Sequence, residues 1–472
     1  MELARFNVAD GTLASKKVIM RYPRAKDDDH HGAGGMSFTD AGVLVIGTGD
    51  NSDPHDATNN GYGPFNSSRA AADASRTSAN SDDLRGKILR IKPKAFADSE
   101  SPAPGAGTTY DIPAGNLWEV INDKTKNPNW DATDDISKVR KEIFSMGHRN
   151  PYHVRVDSKS GWLFWGEVGP DAGSTSSTRG PAGHDEWNLA MKPGFYGHPF
   201  CNGYNVPYNK MTGTGTYGEK YDCAATVNNS PNNTGIKHMP PAVAAIAAYA
   251  SGSNSTDDDP RFNSGTDWGS IRHDAETAIG GPMYRYDPSS TSATRFPPWW
   301  EGKILFFDWS RRNFRIIELQ PDGTLPKGNT AVQNFAPSGL TAGSYIDMQF
   351  GPDGAMYLLK NCNNGYSDAT GAQLFKVEYT GAQDKDCYIP FTPTTYGPDG
   401  TTTVVRPAMR KQLAPVSVKG FYTLPAGYRN LSLYDLSGRK VWSYHREDAD
   451  AAASVRLPSE IGNGLWQADV MP

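Results

Sequence analysis

Ile143-Phe144-Ser145-Met146-Gly147-His148-Arg149-Asn150-Pro151 and, soon after, Gly161-Trp162-Leu163-Phe164-Trp165-Gly166-Glu167-Val168-Gly169-Pro170-Asp171 join two unlike textures. Apolar runs that read as a strand pair lead into Gly/Pro-rich elbows carrying a cation, an amide and two carboxylates. Strands fill a core, and the loops at their ends carry chemistry. Two such loops predict the mouth of a repeating β architecture. The pattern recurs: Phe38-Thr39-Asp40-Ala41-Gly42 precedes Val43-Leu44-Val45-Ile46-Gly47, and Phe350-Gly351-Pro352-Asp353-Gly354 precedes Ala355-Met356-Tyr357-Leu358-Leu359. Gly302-Lys303-Ile304-Leu305-Phe306-Phe307 is another case. Pro-Asp-Gly and Asp-x-Gly are hairpin signals. Short strands with a recurring turn predict an all-β fold, a β-propeller whose blades are four-stranded sheets. A large sandwich or a β-helix competes, and the lack of a short uniform period counts against the helix. The segments 51–82, 172–184 and 202–236 read as inserted rims between blades.

The chain has 472 residues, 37% of them hydrophobic, with 49 Gly, 34 Pro, 11 Trp, 22 Tyr and 18 Phe. The glycines and prolines suit many turns, and the aromatics suit a β-rich core. A net charge of −5 without a basic run argues against a nucleic-acid platform. No stretch approaches the run of about 18 apolar residues that a membrane span needs. Cys201, Cys223, Cys362 and Cys387 form no C-x-x-C pair, which argues against a zinc or redox motif. Two local disulfides, Cys201 with Cys223 and Cys362 with Cys387, are one expectation, and four buried thiols the other. The chain opens on Glu2-Leu3-Ala4-Arg5-Phe6-Asn7-Val8, a strand with no signal-peptide pattern, as if inside a domain. Near residue 385 the texture changes. Residues 1–384 form the predicted propeller, 385–407 a Pro/Thr/Gly linker, and 408–472 a small β-sandwich-like domain with too little core for much independent stability.

Four constellations could carry chemistry. Asp27-Asp28-Asp29-His30-His31-Gly32 places two imidazoles behind three carboxylates. Histidine is the side chain best suited to accept a proton near neutrality. In an extended segment Asp29 would share a side with His31 and orient it; the alternative is a solvated acidic loop. Thr48-Gly49-Asp50-Asn51 either caps a turn or lines the mouth. Arg149 offers a planar fork suited to carboxylates, or serves as a buried structural cation. Gly169-Pro170, with Glu167, Asp171, Asp185 and Glu186, offers the hard oxygen donors that Ca2+ prefers, without an EF-hand loop.

In this order the pieces resemble the soluble quinoprotein sugar dehydrogenases, the glucose/sorbosone dehydrogenase family. The resemblance runs over most of residues 1–380. It rests on His31-Gly32-Ala33-Gly34, Thr48-Gly49-Asp50, Leu84-Arg85-Gly86-Lys87-Ile88-Leu89-Arg90-Ile91, Gly147-His148-Arg149-Asn150-Pro151, Glu167-Val168-Gly169-Pro170, Asp185-Glu186, Tyr196-Gly197 and Phe350-Gly351-Pro352-Asp353-Gly354. It implies a six-bladed propeller, incomplete at the N-terminus, that holds pyrroloquinoline quinone (PQQ) and Ca2+. His31 would be the general base on the anomeric hydroxyl of a sugar substrate. Arg149 and Asn150, with Arg311, would touch the cofactor, and Gly169, Pro170 and Glu186 would serve the calcium. An external electron acceptor, a secreted, periplasmic or cell-surface location and attachment through the C-terminal domain are further implications.

The pattern also departs from the family. His30 stands where an acidic residue precedes the catalytic histidine, and Ser310-Arg311-Arg312 only loosely matches a lysine position. Ser344-Tyr345-Ile346-Asp347-Met348 lacks two arginines of the family's late segment. A charge-assisted contact contributes on the order of 1.5–3 kcal/mol, so two missing contacts predict roughly a hundredfold weaker cofactor binding or more. A non-catalytic carbohydrate- or protein-binding propeller of the same fold is therefore the alternative.

Overall fold

The computed structural model describes residues 1–7, 15–24, 30–32, 34–52, 70–97, 99–213, 216–250, 277–310, 313–325, 332–362, 371–381, 383, 388–396 and 402–403. Toward the C-terminus it describes 416–418, 421–424, 429–434, 440–448, 451, 453–456 and 464–471. The described residues form β-strands, short 3-10 turns and loops, with no α-helix among them. None of their helices is long and apolar enough to cross a membrane. The chain divides into two compact units, Met1–Val404 and Val405–Pro472.

Four larger sheets form the frame of the first unit, beside several two-stranded ones. The first runs Gly194–Phe195, Ile143–Met146, Lys87–Pro93, Leu44–Thr48, Met36–Phe38. The second is a meander of Pro151–Val156, Leu163–Glu167, His184–Ala190 and Ala247–Ala250. A third meander joins Ala278–Met283, Lys303–Asp308, Asn313–Glu318 and Val332–Phe335. The fourth joins Ser344–Phe350, Met356–Cys362 and Gln373–Val377. The strand that opens the second sheet lies against Met36–Phe38 and Leu44–Thr48 of the first and Ala278–Met283 of the third, which in turn lies against Ser344–Phe350. The sheets therefore follow one another like blades about their inner strands, as the sequence predicts.

Side-chain period explains why the sheets stack face to face. Successive residues of a strand point to opposite faces. Leu163 and Trp165 fill the layer shared with the first sheet, together with Val45, Ile88 and Val154. Phe164, between them, faces the third sheet with Trp187, Ile304 and Phe306. On the next sheet Leu305 and Phe307 fill the following layer with Met348, Met356 and Leu358. Each central strand thus serves two cores, which is why it reads as an unbroken apolar run. Trp187 stacks on Phe306 at 5.1 Å between ring centres. The inner strands touch backbone to backbone, and a Cβ on Gly280 would stand 2.6 Å from the His153 carbonyl oxygen.

Cys201 and Cys223 form a disulfide that closes the loop between them. Cys362 is buried, and its expected partner Cys387 lies outside the described residues. Part of the Pro/Thr/Gly segment lies on the first unit: Trp162 Nε1 donates to the Thr394 carbonyl at 2.8 Å, and the Phe391 ring meets the Trp162 edge. The second unit contains an antiparallel sheet of Val416–Val418, Gly464–Met471, Asn430–Tyr434 and Lys440–His445. In the same unit Phe421–Leu424 pairs with Ala453–Arg456.

Phe164 is fully buried between the second and third sheets. Phe164→Ala should lower the unfolding free energy by about 3–5 kcal/mol in urea denaturation. A loss below about 1 kcal/mol would contradict the shared-core arrangement.

Candidate functional site

The elbow between the first and second sheets, Gly147 to Pro151, is the centre of the site. Gly147 has φ +83°, and a Cβ there would meet the Phe195 ring at 2.5 Å, so the turn requires glycine. Glu167, at the end of its strand and only 4% exposed, fastens the elbow. Its Oε1 accepts the backbone N–H of Arg149 at 2.7 Å and of Asn150 at 2.8 Å. Its Oε2 accepts Trp165 Nε1 at 3.0 Å and lies 2.9 Å from His148 Nδ1. The other nitrogen of His148 meets Ser145 Oγ at 2.8 Å. Glu167 thus spends both oxygens on the elbow rather than on a metal.

Arg149 is buried, donating to the Val168 carbonyl at 3.1 Å and to Asp171 Oδ1 at 2.9 Å. Its own carbonyl accepts the Asp50 N–H at 2.7 Å, which ties the elbow to the end of the Leu44–Thr48 strand. His31 lies over the same strand end. Its backbone sits at φ +45°, and Gly49 is required beneath it, because a Cβ would stand 2.2 Å from the His31 carbonyl oxygen.

The carboxylate that orients His31 is Asp50, whereas Asp29 was the sequence expectation and lies outside the described residues. His31 Nδ1 is 2.8 Å from Asp50 Oδ1. Asp50 Oδ2 is 3.2 Å from His198 Nε2 and accepts Ser52 Oγ at 2.5 Å. Burial alone would raise the Asp50 pKa. The charge of His31 and the hydrogen bonds from His198 and His31 outweigh it and hold the carboxyl well below the usual range. Burial, then the nearby Arg149 charge, push the His31 pKa below the ordinary imidazole value, against the opposing pull of Asp50. With Asp50 ionised, Nδ1–H is the donor and Nε2 keeps its lone pair. The His31 side chain is 11% exposed, enough for a ligand atom to reach it.

The Gly169-Pro170 bend follows Glu167. Gly169 N–H donates to Asp185 Oδ1 at 2.9 Å, and Ala172 N–H donates to the Pro170 carbonyl at 2.8 Å. A Cβ on Gly169 would lie 1.8 Å from the His184 carbonyl oxygen, so the bend packs backbone against backbone. Asp185 therefore supports the bend. Glu186, its neighbour on the strand, faces the other way: Oε1 accepts Gly203 N–H at 2.6 Å and Oε2 accepts Asn188 Nδ2 at 2.9 Å. Burial, followed by the Glu167 charge, pushes the Glu186 carboxyl up to about 8. Asn188 Oδ1 is buried without a partner, and a flipped amide would let it accept a Glu186 O–H. Among the described residues no three His, Cys, Asp or Glu side chains cluster as a metal site. Arg311 lies outside the described residues.

The structure brings His31, Arg149, Asn150 and the Gly169-Pro170 bend to one end of the first two sheets. It adds Asp50, which the sequence offered only as a turn cap or mouth residue, and His198, which no local pattern marks. His31 and Asp50 are separated by 19 positions and Asp50 and His198 by 148, so only the folded chain pairs them.

Because ionisation of a buried carboxyl with a raised pKa disfavours the folded state, stability falls as pH rises from the unfolded value, near 4.3, toward about 8. Glu186→Gln removes that dependence. Relative to the variant, the native protein should lose urea resistance across this window. Parallel curves for the two proteins would contradict a protonated Glu186.

Residues 109–239 match the family model described as Glucose / Sorbosone dehydrogenase. No curated protein matches the chain. Among solved structures, a glucose dehydrogenase is 19% identical over 80% of this chain and 72% of that one, with a TM-score of 0.41. The soluble aldose sugar dehydrogenase of Escherichia coli, in its apo form, is 18% identical over 79% and 71%, with a TM-score of 0.40. The PQQ-bound aldose sugar dehydrogenase of Streptomyces coelicolor is 17% identical over 77% and 66%, with a TM-score of 0.34. The elbow, the bend and Glu186 all fall inside the segment that matches the glucose/sorbosone dehydrogenase model, the family whose motifs this sequence resembles.

Proposed function

We propose that the chain is a quinoprotein-type sugar dehydrogenase that oxidises the anomeric C1 hydroxyl of an aldose, with His31 as its base. The observation that carries this reading is the His31–Asp50 pair beside Arg149. A partly exposed imidazole has its Nδ1–H held at 2.8 Å by a buried carboxylate, and among the described residues none bonds its Nε2. Such an imidazole accepts a proton from a hydroxyl, and the carboxylate stabilises the cation that forms. Burial, and after it the Arg149 charge, disfavours that cation before substrate arrives.

The donors present suit PQQ and Ca2+. Arg149 and Asn150, on an elbow fixed by Glu167, would hold the quinone's carboxylates, with Arg311 as a further candidate. The carbonyls of Gly169 and Pro170 would hold the calcium. The Pro170 oxygen accepts one N–H and retains a second lone pair. Glu186, the further calcium donor that the resemblance implies, faces away from the bend and holds its proton, so the calcium reading rests on the two carbonyls. When bound, PQQ would supply the two-electron acceptor and Ca2+ a Lewis acid, leaving the sugar as its lactone. An external acceptor would then reoxidise the cofactor. The Cys201–Cys223 disulfide suits a secreted, periplasmic or cell-surface protein. The second unit would serve as an attachment module.

One observation favours a second reading, a non-catalytic carbohydrate- or protein-binding propeller. Where the resemblance expects arginines, the Ser344–Phe350 strand carries Ser344, Ile346 and Asp347, and Asp347 is bonded to Arg155.

Calorimetric titration of PQQ with and without Ca2+ separates the two. The dehydrogenase reading expects calcium-dependent binding at about micromolar strength, lost in Arg149→Ala. It also expects aldose-dependent dye reduction that is lost in His31→Ala while PQQ binding persists. No binding by the native protein would leave the second reading.

A further inference from the structure

Asp50 carries a second imidazole that the proposed proton transfer does not use. His198 Nε2 lies 3.2 Å from Asp50 Oδ2, the oxygen opposite the one that holds His31. His198 is 7% exposed, and its backbone N–H donates to the Gly147 carbonyl at 3.1 Å. The preceding Tyr196 N–H donates to the Met146 carbonyl at 2.8 Å. The turn that carries His198 is therefore pinned to the elbow, and the imidazole reaches across to the strand end where Asp50 sits.

We propose that His198 is a positioning residue: by donating Nε2–H to Asp50, it fixes the carboxylate and thereby the tautomer and basicity of His31. Three N–H donors, those of His31, His198 and the Ser52 backbone, together with the Ser52 hydroxyl, leave one ionised carboxylate little capacity to take a proton. His31 must then hold its proton on Nδ1 and present the Nε2 lone pair outward. Without that donor, Asp50 would become the stronger acceptor toward His31, and the His31 imidazolium would be better stabilised. The relevance to sugar oxidation rests on the proposed function, but the positioning itself does not.

Among the described residues, Arg149 and Asp171 act on this cluster from beside His31. Lys87 and Arg76 face Asp50 from the first sheet and the insertion before it, and His148 faces His198. All of these are left in place by a change at His198.

The test is nitrogen-15 NMR of histidine-labelled protein without cofactor or sugar. In the unaltered protein, His31 should show the Nδ1–H tautomer and His198 the Nε2–H tautomer. In His198→Phe, the His31 titration midpoint should rise by on the order of one pH unit. His198→Gln, whose amide N–H can stand where Nε2–H stood, should restore it. The opposite tautomer at either residue in the unaltered protein overturns the proposal, even if His198→Phe does not fold. An unchanged His31 midpoint in folded His198→Phe also overturns it. With PQQ, Ca2+ and an aldose, His198→Phe should shift the acid limb of the kcat profile upward with KM retained. If the tautomers and midpoint behave as expected but the loaded native protein oxidises no aldose, the positioning stands and the sugar-oxidation reading falls.

Discussion

The buried carboxylate of Glu167 is the interaction on which the site depends. Four donors converge on it: two consecutive backbone amides of the elbow, the ring of His148 and the indole of Trp165. A buried charge persists only when its hydrogen bonds are nearly complete. Removing that acceptor would orphan two backbone amides at the junction of two sheets. Through the elbow Glu167 sets Arg149, and through the Arg149 carbonyl it reaches the Asp50 amide and so His31. One side chain at a strand end therefore links the positions of a guanidinium, a carboxylate and an imidazole from three separate segments.

The fold supplies the rigidity that this chain of contacts needs. Because Leu163 and Trp165 face one neighbouring sheet while Phe164 faces the other, the strand that ends in Glu167 is clamped from both sides. The inner strands meet through glycine, which lets the strand ends crowd together at the mouth. Glycines where strands of neighbouring sheets meet, and large apolar side chains in the layers between them, give the blade-like stack. The same grading brings loops from the first two sheets to one end of the first unit.

Much of this was legible in the sequence, for local reasons. Trp162 to Trp165 read as a strand because it is apolar on both faces. The Asp-x-Gly turns marked the hairpins. His31, Arg149 and Gly169-Pro170 stood out because unusual residue types sat among glycines. Partners that depend on tertiary contact were not legible. His31 bonds Asp50 across a hairpin, while Asp29, the partner expected from spacing, lies outside the described residues. Strand alternation dictates that Asp185 and Glu186 face opposite sides. It does not say which of them meets the bend, and Asp185 does. Glu167 looked like an oxygen donor for a cation until its four hydrogen bonds were in view. His198 sits beside Tyr196-Gly197, a pair that the resemblance used, but nothing in its local sequence indicates an acid far upstream.

Hydrogen exchange at the elbow tests most directly whether Glu167 organises the site. The account predicts that the Arg149 and Asn150 amides are strongly protected in the native protein. In Glu167→Gln, which retains the shape but loses the charge, they should exchange at least about tenfold faster, and the His31 ring resonances should shift with them. If both amides keep native protection in a folded Glu167→Gln protein and His31 is unmoved, the elbow is held by something else, and the dependence of the base on Glu167 is wrong.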